Sequence, residues 1–400
     1  MSADTAGRRL PLTSGAFWGR NPLEDLAWAR RNDPVHWDDA GRVWGVTRYD
    51  DVKQISRNPE LFSNAGGIRP DTGATPMMID MDDPGHWKRR KLVNRGFTPA
   101  RVRDRAQRLE TIADRLIDRV CERGECDFVW DVAAWLPLIV IAESLGVAES
   151  DHRMLLEWSD TLLRGLDGAE GSVERMTEVF LEYDAYARRV IAARRESPAA
   201  DLMSDLVHAE VDGDRLSDDE LIFDSLLILI GGDETTRHVI TGGVYQLLIH
   251  QDQREQLRLD RGLLGSAAEE MLRWVSPIKN MARTATADTT LRGQDIRAGD
   301  KLLLLYPSAN RDEDHFDDPD VFDIRRQPND HVAFGFGSHF CLGNNLARLE
   351  ITTFLDRLLT RLPDLNLASP AEPRYRAANF VSGYESMPVT FTPSAPQLGL

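Results

Sequence analysis

Cys341 stands near the end of a ten-residue run in which most positions either free the backbone or carry an aromatic ring: Phe334, Gly335, Phe336, Gly337, Ser338, His339, Phe340, Cys341, Leu342 and Gly343. Gly335 and Gly337 permit a tight turn through backbone angles that other residues resist. Gly343 lets the chain pass close to something flat or bulky. An amphipathic helical pattern follows, so Cys341 sits at or just before a helix N-terminus, where the dipole and free N–H groups stabilise a thiolate. One thiolate offered from a glycine-rich loop suits an axial haem ligand, which donates electron density that favours O–O cleavage. Two other readings fit less well. A buried, inert cysteine beside a turn does not account for the whole run, and a zinc site lacks a second Cys or His at ligand spacing.

A second run, Ile230, Gly231, Gly232, Asp233, Glu234, Thr235 and Thr236, falls in the middle of a long helical pattern. Each glycine inside a helix costs about 1 kcal/mol relative to alanine, so something must offset that cost. The missing side chains would let a planar cofactor and a small ligand approach the helix. Thr235 can bond a carbonyl one turn back and open the helix locally. Glu234 beside it gives an acid and a hydroxyl, the pair a proton relay to dioxygen requires. The bland alternative is a helix kink with a solvated glutamate.

Four further basic residues bear on these runs. His86 and Arg90 lie four apart on one helical face, Arg283 follows a short extended stretch, and His339 precedes Cys341 by two. Together they could neutralise two carboxylates at a cofactor edge, although each alone is more often a solvated side chain. Glu270 and Arg273, three apart on one helix face, read as a surface ion pair of little worth or, in the partly buried setting that Trp274 and Pro277 suggest, as a structural clamp.

The elements that must position these groups are mostly helical. The 3.6-residue period predicts helices over 101–123, 151–166, 173–197, 217–250, 263–274 and 342–362. Shorter alternating pieces predict strands at 35–37, 43–46, 287–291 and 301–305, with a turn at 297–300. The expected architecture is mainly α with a minor β part near the N-terminus, in a single domain over residues 1–400. Hydrophobic residues make up 42% of the 400 and charged residues 28%, as in a globular protein. A net charge of −17 disfavours nucleic acid and anionic lipid surfaces. Three cysteines (Cys121, Cys126, Cys341) argue for a reducing compartment. The first ten residues hold no apolar signal core, and the longest apolar runs, 135–141 and 226–230, fall short of the roughly 18–20 residues that span a bilayer. The expectation is a cytoplasmic protein without a membrane anchor.

Taken together the segments resemble a bacterial cytochrome P-450, a haem-thiolate monooxygenase, along essentially the whole chain. The resemblance implies that family's fold, a triangular helical prism around a buried haem b (iron protoporphyrin IX). It implies Cys341 as the iron ligand, Phe334 as the aromatic packed under the thiolate, and Gly231, Gly232, Gly335 and Gly343 along the cofactor. Glu234 and Thr235 match the acid–alcohol pair that delivers protons during dioxygen activation. His86, Arg90, Arg283 and His339 match the propionate contacts. Glu270 and Arg273 match a structural pair that locks with Arg325 before the Cys loop. Gly231 stands where many members have alanine.

A closer likeness concerns substrate. The runs 61–70, 77–81, 231–238 and 378–383, with 385–388, resemble actinobacterial sterol side-chain hydroxylases, which oxidise the terminal methyl of cholesterol or cholest-4-en-3-one. Met77, Met78, Ile79, Leu226, Ile230, Ile278, Met281, Phe380 and Val381 lie in segments that line the family's distal pocket, and methionines adapt to irregular apolar shapes. Plain core packing accounts for any one of them equally well. Between His86 and Arg105 stand eight Lys or Arg against one acid, Asp104. This patch lacks the interleaved aromatics that stack on nucleic acid, and in the family it faces an acidic ferredoxin, supplied by its reductase, whose approach it would steer. A solvated helix face is the alternative. The expected protein is a monomer that takes dioxygen, ferredoxin electrons and an apolar substrate. Rival readings are a monooxygenase on another bulky apolar molecule (polyketide, terpenoid or fatty acid) and a haem protein that binds or senses without turnover.

Overall fold

The longest helix, Asp218–Ile249, begins where Ser217 and Glu220 cap one another reciprocally: the Glu220 N–H reaches the Ser217 hydroxyl, and the Ser217 N–H donates to the Glu220 carboxylate at 2.9 Å. In the computed structural model, which describes residues 8–164, 172–210 and 213–398, this helix is buried along nearly its whole length from Asp233 onward. A helix apolar on every side belongs in a core. It packs against Trp135–Ser144, Leu264–Val275 and Asn344–Arg361, and all four contribute to the main apolar cluster. The run at 135–141 is therefore a core helix. No helix among the described residues is long and apolar enough to cross a membrane.

Five of the expected helices are present as Asp218–Ile249, His152–Arg164, Ser172–Glu196, Leu264–Val275 and Asn344–Arg361; positions 165 and 166 lie outside the described residues. The sixth, expected over 101–123, is two helices, Pro99–Arg103 and Ala106–Asp118. A turn at 104–105 separates them, and there Arg105 reaches inward to the Ser144 hydroxyl at 2.5 Å.

The main sheet has five strands in the order Val35–Asp38, Val43–Val46, Lys301–Leu304, Met281–Ala285 and Phe62–Ser63. Val43–Val46 pairs in parallel with Lys301–Leu304, and the other pairings are antiparallel. The β part thus draws on both halves of the chain rather than lying near the N-terminus. The expected strand at 287–291 is shorter, Thr289–Leu291, hairpinned with Gln294–Ile296 through Arg292 and Gly293, both at positive φ. A second sheet of Glu125–Asp127, Pro388–Thr390 and Asn366–Leu367 was not expected. The Met281–Ala285 strand carries Arg283, and the loop before Asn344–Arg361 carries Cys341, so sheet and helices meet at the groups singled out above.

Candidate active site

The Cys341 loop is closed by its own backbone: the Cys341 N–H donates to the Phe334 carbonyl at 2.9 Å, and the Asn344 amide donates to the Cys341 carbonyl at 2.8 Å. Gly335 and Gly337 have φ of 70° and 80°, the left-handed region that favours glycine. Gly337 also passes so near Ser56 that a Cβ would sit 2.2 Å from its carbonyl oxygen. Phe334 packs edge-on to Phe340, with the Arg348 guanidinium 4.6 Å from its ring centre. Burial pushes the Cys341 thiol up, against the Gly343 N–H, Arg90 and Arg348, which pull it down. The net direction is upward. The helix N-terminus alone does not give the expected thiolate; a bound metal cation would, since a coordinating thiol is deprotonated outright.

The donor set defines what kind of metal would fit. No group of three or more His, Cys, Asp or Glu among the described residues could hold an ion. One cysteine therefore suits a metal whose remaining ligands come from a cofactor. The surroundings suit a flat one. Gly231 is exposed in the middle of an otherwise buried helix, and a Cβ on Gly231 or on Gly343 would meet nothing within 4 Å. Gly232 is different. A Cβ there would lie 2.7 Å from the Ile141 side chain, so it serves close packing against Trp135–Ser144 and not the cofactor contact expected of it. Adjacent helical residues lie about 100° apart, which puts the two glycines on different faces.

The four expected basic residues converge. His86 and His339 stack with ring centres 3.9 Å apart. His86 also lies 3.1 Å from the Asp83 carboxylate. The Arg90 guanidinium donates to the Phe340 carbonyl, and buried Arg283 donates to the Ala282 carbonyl at 2.8 Å. Burial, reinforced by His86, Arg283 and Arg90, pushes His339 down to about 2. Among the described residues neither Arg90 nor Arg283 has an ion-pair partner within 4 Å. Buried charges are ordinarily paired, so this cluster fits the carboxylates of a bound group.

Thr235 makes the expected bond one turn back, its hydroxyl donating to the Gly231 carbonyl at 2.7 Å. Glu234 is not beside it. Its wholly buried carboxylate accepts from Arg237 at 2.7 Å and from Arg376, with His238 at 3.5 Å. Arg376 also reaches Asp160 at 2.8 Å and Glu385 at 3.2 Å. Burial alone would raise Glu234, but Arg237 and Arg376 outweigh it and hold the carboxyl at about 2. Sequence reasoning missed Asp160, Arg237, Arg376 and Glu385; 142 residues separate Arg376 from Glu234, and no local pattern marks that pairing.

Glu270 and Arg273 form the buried clamp, with two bonds of 2.8 Å. Arg273 also donates to the Asn310 and Pro319 carbonyls at 2.8 Å each. The third partner is Arg326, whose Nε lies 3.2 Å from Glu270, and not Arg325. The turn that joins the Arg326 N–H to the Asp323 carbonyl aims Arg326 inward and leaves Arg325 outside, bonded to Gln256.

Five of the nine expected pocket residues, Ile79, Ile278, Met281, Phe380 and Val381, gather with Ile68 in a small apolar cluster of their own. Met78 and Leu226 are buried in the main core, with Met77 and Ile230 packed against it. The basic patch also divides. Arg89 is buried and paired with Asp224 at 2.5 Å, Arg90 belongs to the cation cluster, and Arg105 points inward. Lys88, Lys91, Arg95, Arg101 and Arg103 remain exposed, beside Trp87 at 53% exposure.

The comparisons with known proteins meet this geometry. The cytochrome P450 family model matches residues 170–363. The chain is 55% identical, over 97% of each protein, to a steroid C26-monooxygenase of Mycolicibacterium smegmatis. The chain belongs to the cytochrome P450 family. It is a monooxygenase of that family, with a haem-iron cofactor. It is also 40% identical to a methyl-branched lipid omega-hydroxylase of Mycobacterium tuberculosis, over 87% of this chain and 84% of that protein. Among solved structures, a Mycobacterium marinum cytochrome P450 in complex with pseudoionone superposes with a TM-score of 0.90 at 33% identity, covering 98% of this chain and all of the other.

Proposed function

We propose that this P450 hydroxylates the terminal methyl of a sterol side chain, with cholesterol or cholest-4-en-3-one as substrate. The observation that carries this reading is the 55% identity, along 97% of both chains, to a protein named a steroid C26-monooxygenase. The cluster of Ile68, Ile79, Ile278, Met281, Phe380 and Val381 supports it by offering apolar contact. A methyl-branched lipid is the second reading, favoured by the omega-hydroxylase relative; either substrate presents a terminal methyl on a flexible apolar tail.

The cofactor in this reading is haem b, whose bound iron supplies the dioxygen chemistry. Cys341 holds the metal from the loop side. Arg90, Arg283, His86 and His339 receive the carboxylates. Gly231 and Gly343 leave room for a flat ring, and Phe334 backs the sulfur. Thr235 presents its hydroxyl on the helix face it shares with Gly231, where it positions a proton. Glu234 passes a proton only after leaving Arg376, because as held it is a carboxylate at neutral pH. Electrons come from an acidic ferredoxin docked on the exposed Lys and Arg around Trp87. Three free cysteines support a cytoplasmic setting.

Optical titration of the ferric protein with cholest-4-en-3-one tests the substrate. A saturable low-to-high-spin Soret shift is expected. A haem spectrum that a sterol leaves unchanged, but a methyl-branched lipid shifts, transfers the reading to the second substrate. Thr235→Ala tests the hydroxyl: electrons should be diverted into peroxide, and an unchanged product yield per NADH would sink that role.

A further inference from the structure

A second cleft opens among residues that none of the chemistry above uses. It holds about 210 Å³ and is bounded by Trp18, Leu23, Leu26, Trp274, Lys279, Arg311 and Tyr375, among others. That is room for roughly seven waters, or for a small organic molecule in their place. Its polar part holds two cations beside the amides of Asn21 and Gln246 and the carboxyl of Glu372. Lys279 is 4% exposed, and its ammonium donates to the Ser276 carbonyl at 3.2 Å. Arg311, equally covered, donates to the Trp274 carbonyl at 2.9 Å while its Nε makes no hydrogen bond. The nearest acid to Arg311, exposed Asp320, lies 3.7 Å away.

Buried ammonium and guanidinium groups are ordinarily matched by carboxylates; among the described residues Lys279 has none within 4 Å, and Arg311 has only the exposed Asp320. Apart from Asn21, Gln246 and Glu372, the remaining walls are rings and aliphatic side chains. The Trp274 ring lies 4.5 Å from the Arg311 guanidinium and the Tyr375 ring 5.7 Å from the Lys279 ammonium. The rings and aliphatic side chains suit an acid with one charged end and an apolar body.

We propose that this cleft binds a small amphipathic carboxylate, whose charged end lies between Lys279 and Arg311 and whose apolar body lies against Trp18, Trp274 and Tyr375. Burial and the nearby Arg311 hold the lysine down at about 7. Arg311, Glu372 and Tyr375 are the other ionisable groups lining the cleft. An anion there would favour the charged lysine, so binding should tighten as pH falls through 7.

The test uses the haem-loaded protein with its catalytic pocket filled by a tightly held azole, so that the probe reports only the second cleft. Benzoate titrated by calorimetry should bind with a Kd of about 1 mM or tighter, and Lys279→Met should weaken it by about tenfold or more. Equal binding by wild type and variant overturns the proposal, as does no binding by wild type. If Lys279→Met fails to fold, trace acetylation of the wild type decides. Benzoate should slow labelling of Lys279 several-fold, read by peptide mass, and an unchanged rate overturns the proposal.

Discussion

Two buried charge clusters face each other in function but are built on opposite plans. The Glu234 cluster is closed: its carboxylate is met by Arg237 and Arg376, and Arg376 in turn by Asp160 and Glu385. The cluster of Arg90, Arg283, His86 and His339 is open: burial lowers Arg283, burial and its basic neighbours keep His339 neutral, and among the described residues neither arginine has an ion-pair partner within 4 Å. The protein pairs the charges of the first within the chain, although Glu234 Oε2 and two Arg237 nitrogens make no hydrogen bond, and leaves the second to a ligand. A closed network contributes the same with and without a ligand, whereas an open one adds stability only when the ligand is bound.

The largest expected effect comes from breaking the closed cluster. Arg376→Met leaves Glu234, Asp160 and Glu385 without their shared cation, and removing one partner of a buried pair costs about 3–5 kcal/mol. The loss should be equal with and without haem, as measured by chemical denaturation. The same cluster carries a pH signature. The folded carboxyl of Glu234 is held at about 2, below its ordinary 4.5. Its contribution is therefore complete above pH 4.5 and is lost as pH falls from 4.5 towards 2, a decline that Arg376→Met should flatten.

The open cluster should respond with a different sign. Arg283→Leu removes a buried cation that has no ion-pair partner, so the haem-free protein should melt at the same temperature or higher. Haem retention should fall by about 10- to 100-fold, the worth of one charge-assisted bond of about 1.5–3 kcal/mol. Transfer of haem to an apoprotein acceptor measures it. A haem-free protein as badly destabilised as Arg376→Met would erase the distinction between the clusters.

Asp233, next to the closed cluster but outside it, sharpens the contrast. Burial pushes it up to about 6, and Arg237 offsets this only in part. Sign decides the prediction. A raised carboxyl penalises the folded state once pH exceeds its ordinary 3.8, and the penalty is complete above 6. Asp233→Asn, which never ionises, should stabilise the protein at pH 8 by up to about 3 kcal/mol and leave it unchanged below pH 4, as read by thermal melting.

How much of this was legible in the sequence depends on the range over which each feature is determined. The Cys341 loop was readable because its requirements are local: left-handed turns at Gly335 and Gly337 and a helix start after Gly343. Thr235 and its bond to Gly231 were readable because helical geometry fixes residues four apart. Gly232 was misassigned although the signal existed, since helical phase separates it from Gly231. Arg326 was mistaken for Arg325 because the turn at Asp323 that aims them is set by contacts with Glu270. The closed cluster was invisible because Arg376 arrives from the far end of the chain, where the fold alone makes it a neighbour.

The smallest effect tests the outward side of the open cluster. The Gly85–Val93 helix turns His86 and Arg90 towards the proposed haem edge and leaves Lys88 and Lys91 in solvent. Arg89, which the sequence placed in the same docking patch, is buried against Asp224, so reversing it would damage the fold and say nothing about docking. Lys91→Glu keeps the interior intact. Near an acidic ferredoxin it should lower the electron-transfer rate several-fold at low ionic strength. The difference should shrink towards nothing near 1 M salt, where the Debye length is about 3 Å. A deficit that persists at high salt would mean that Lys91 acts through the cation cluster behind it, and the division of this helix into an inner and an outer face would fail.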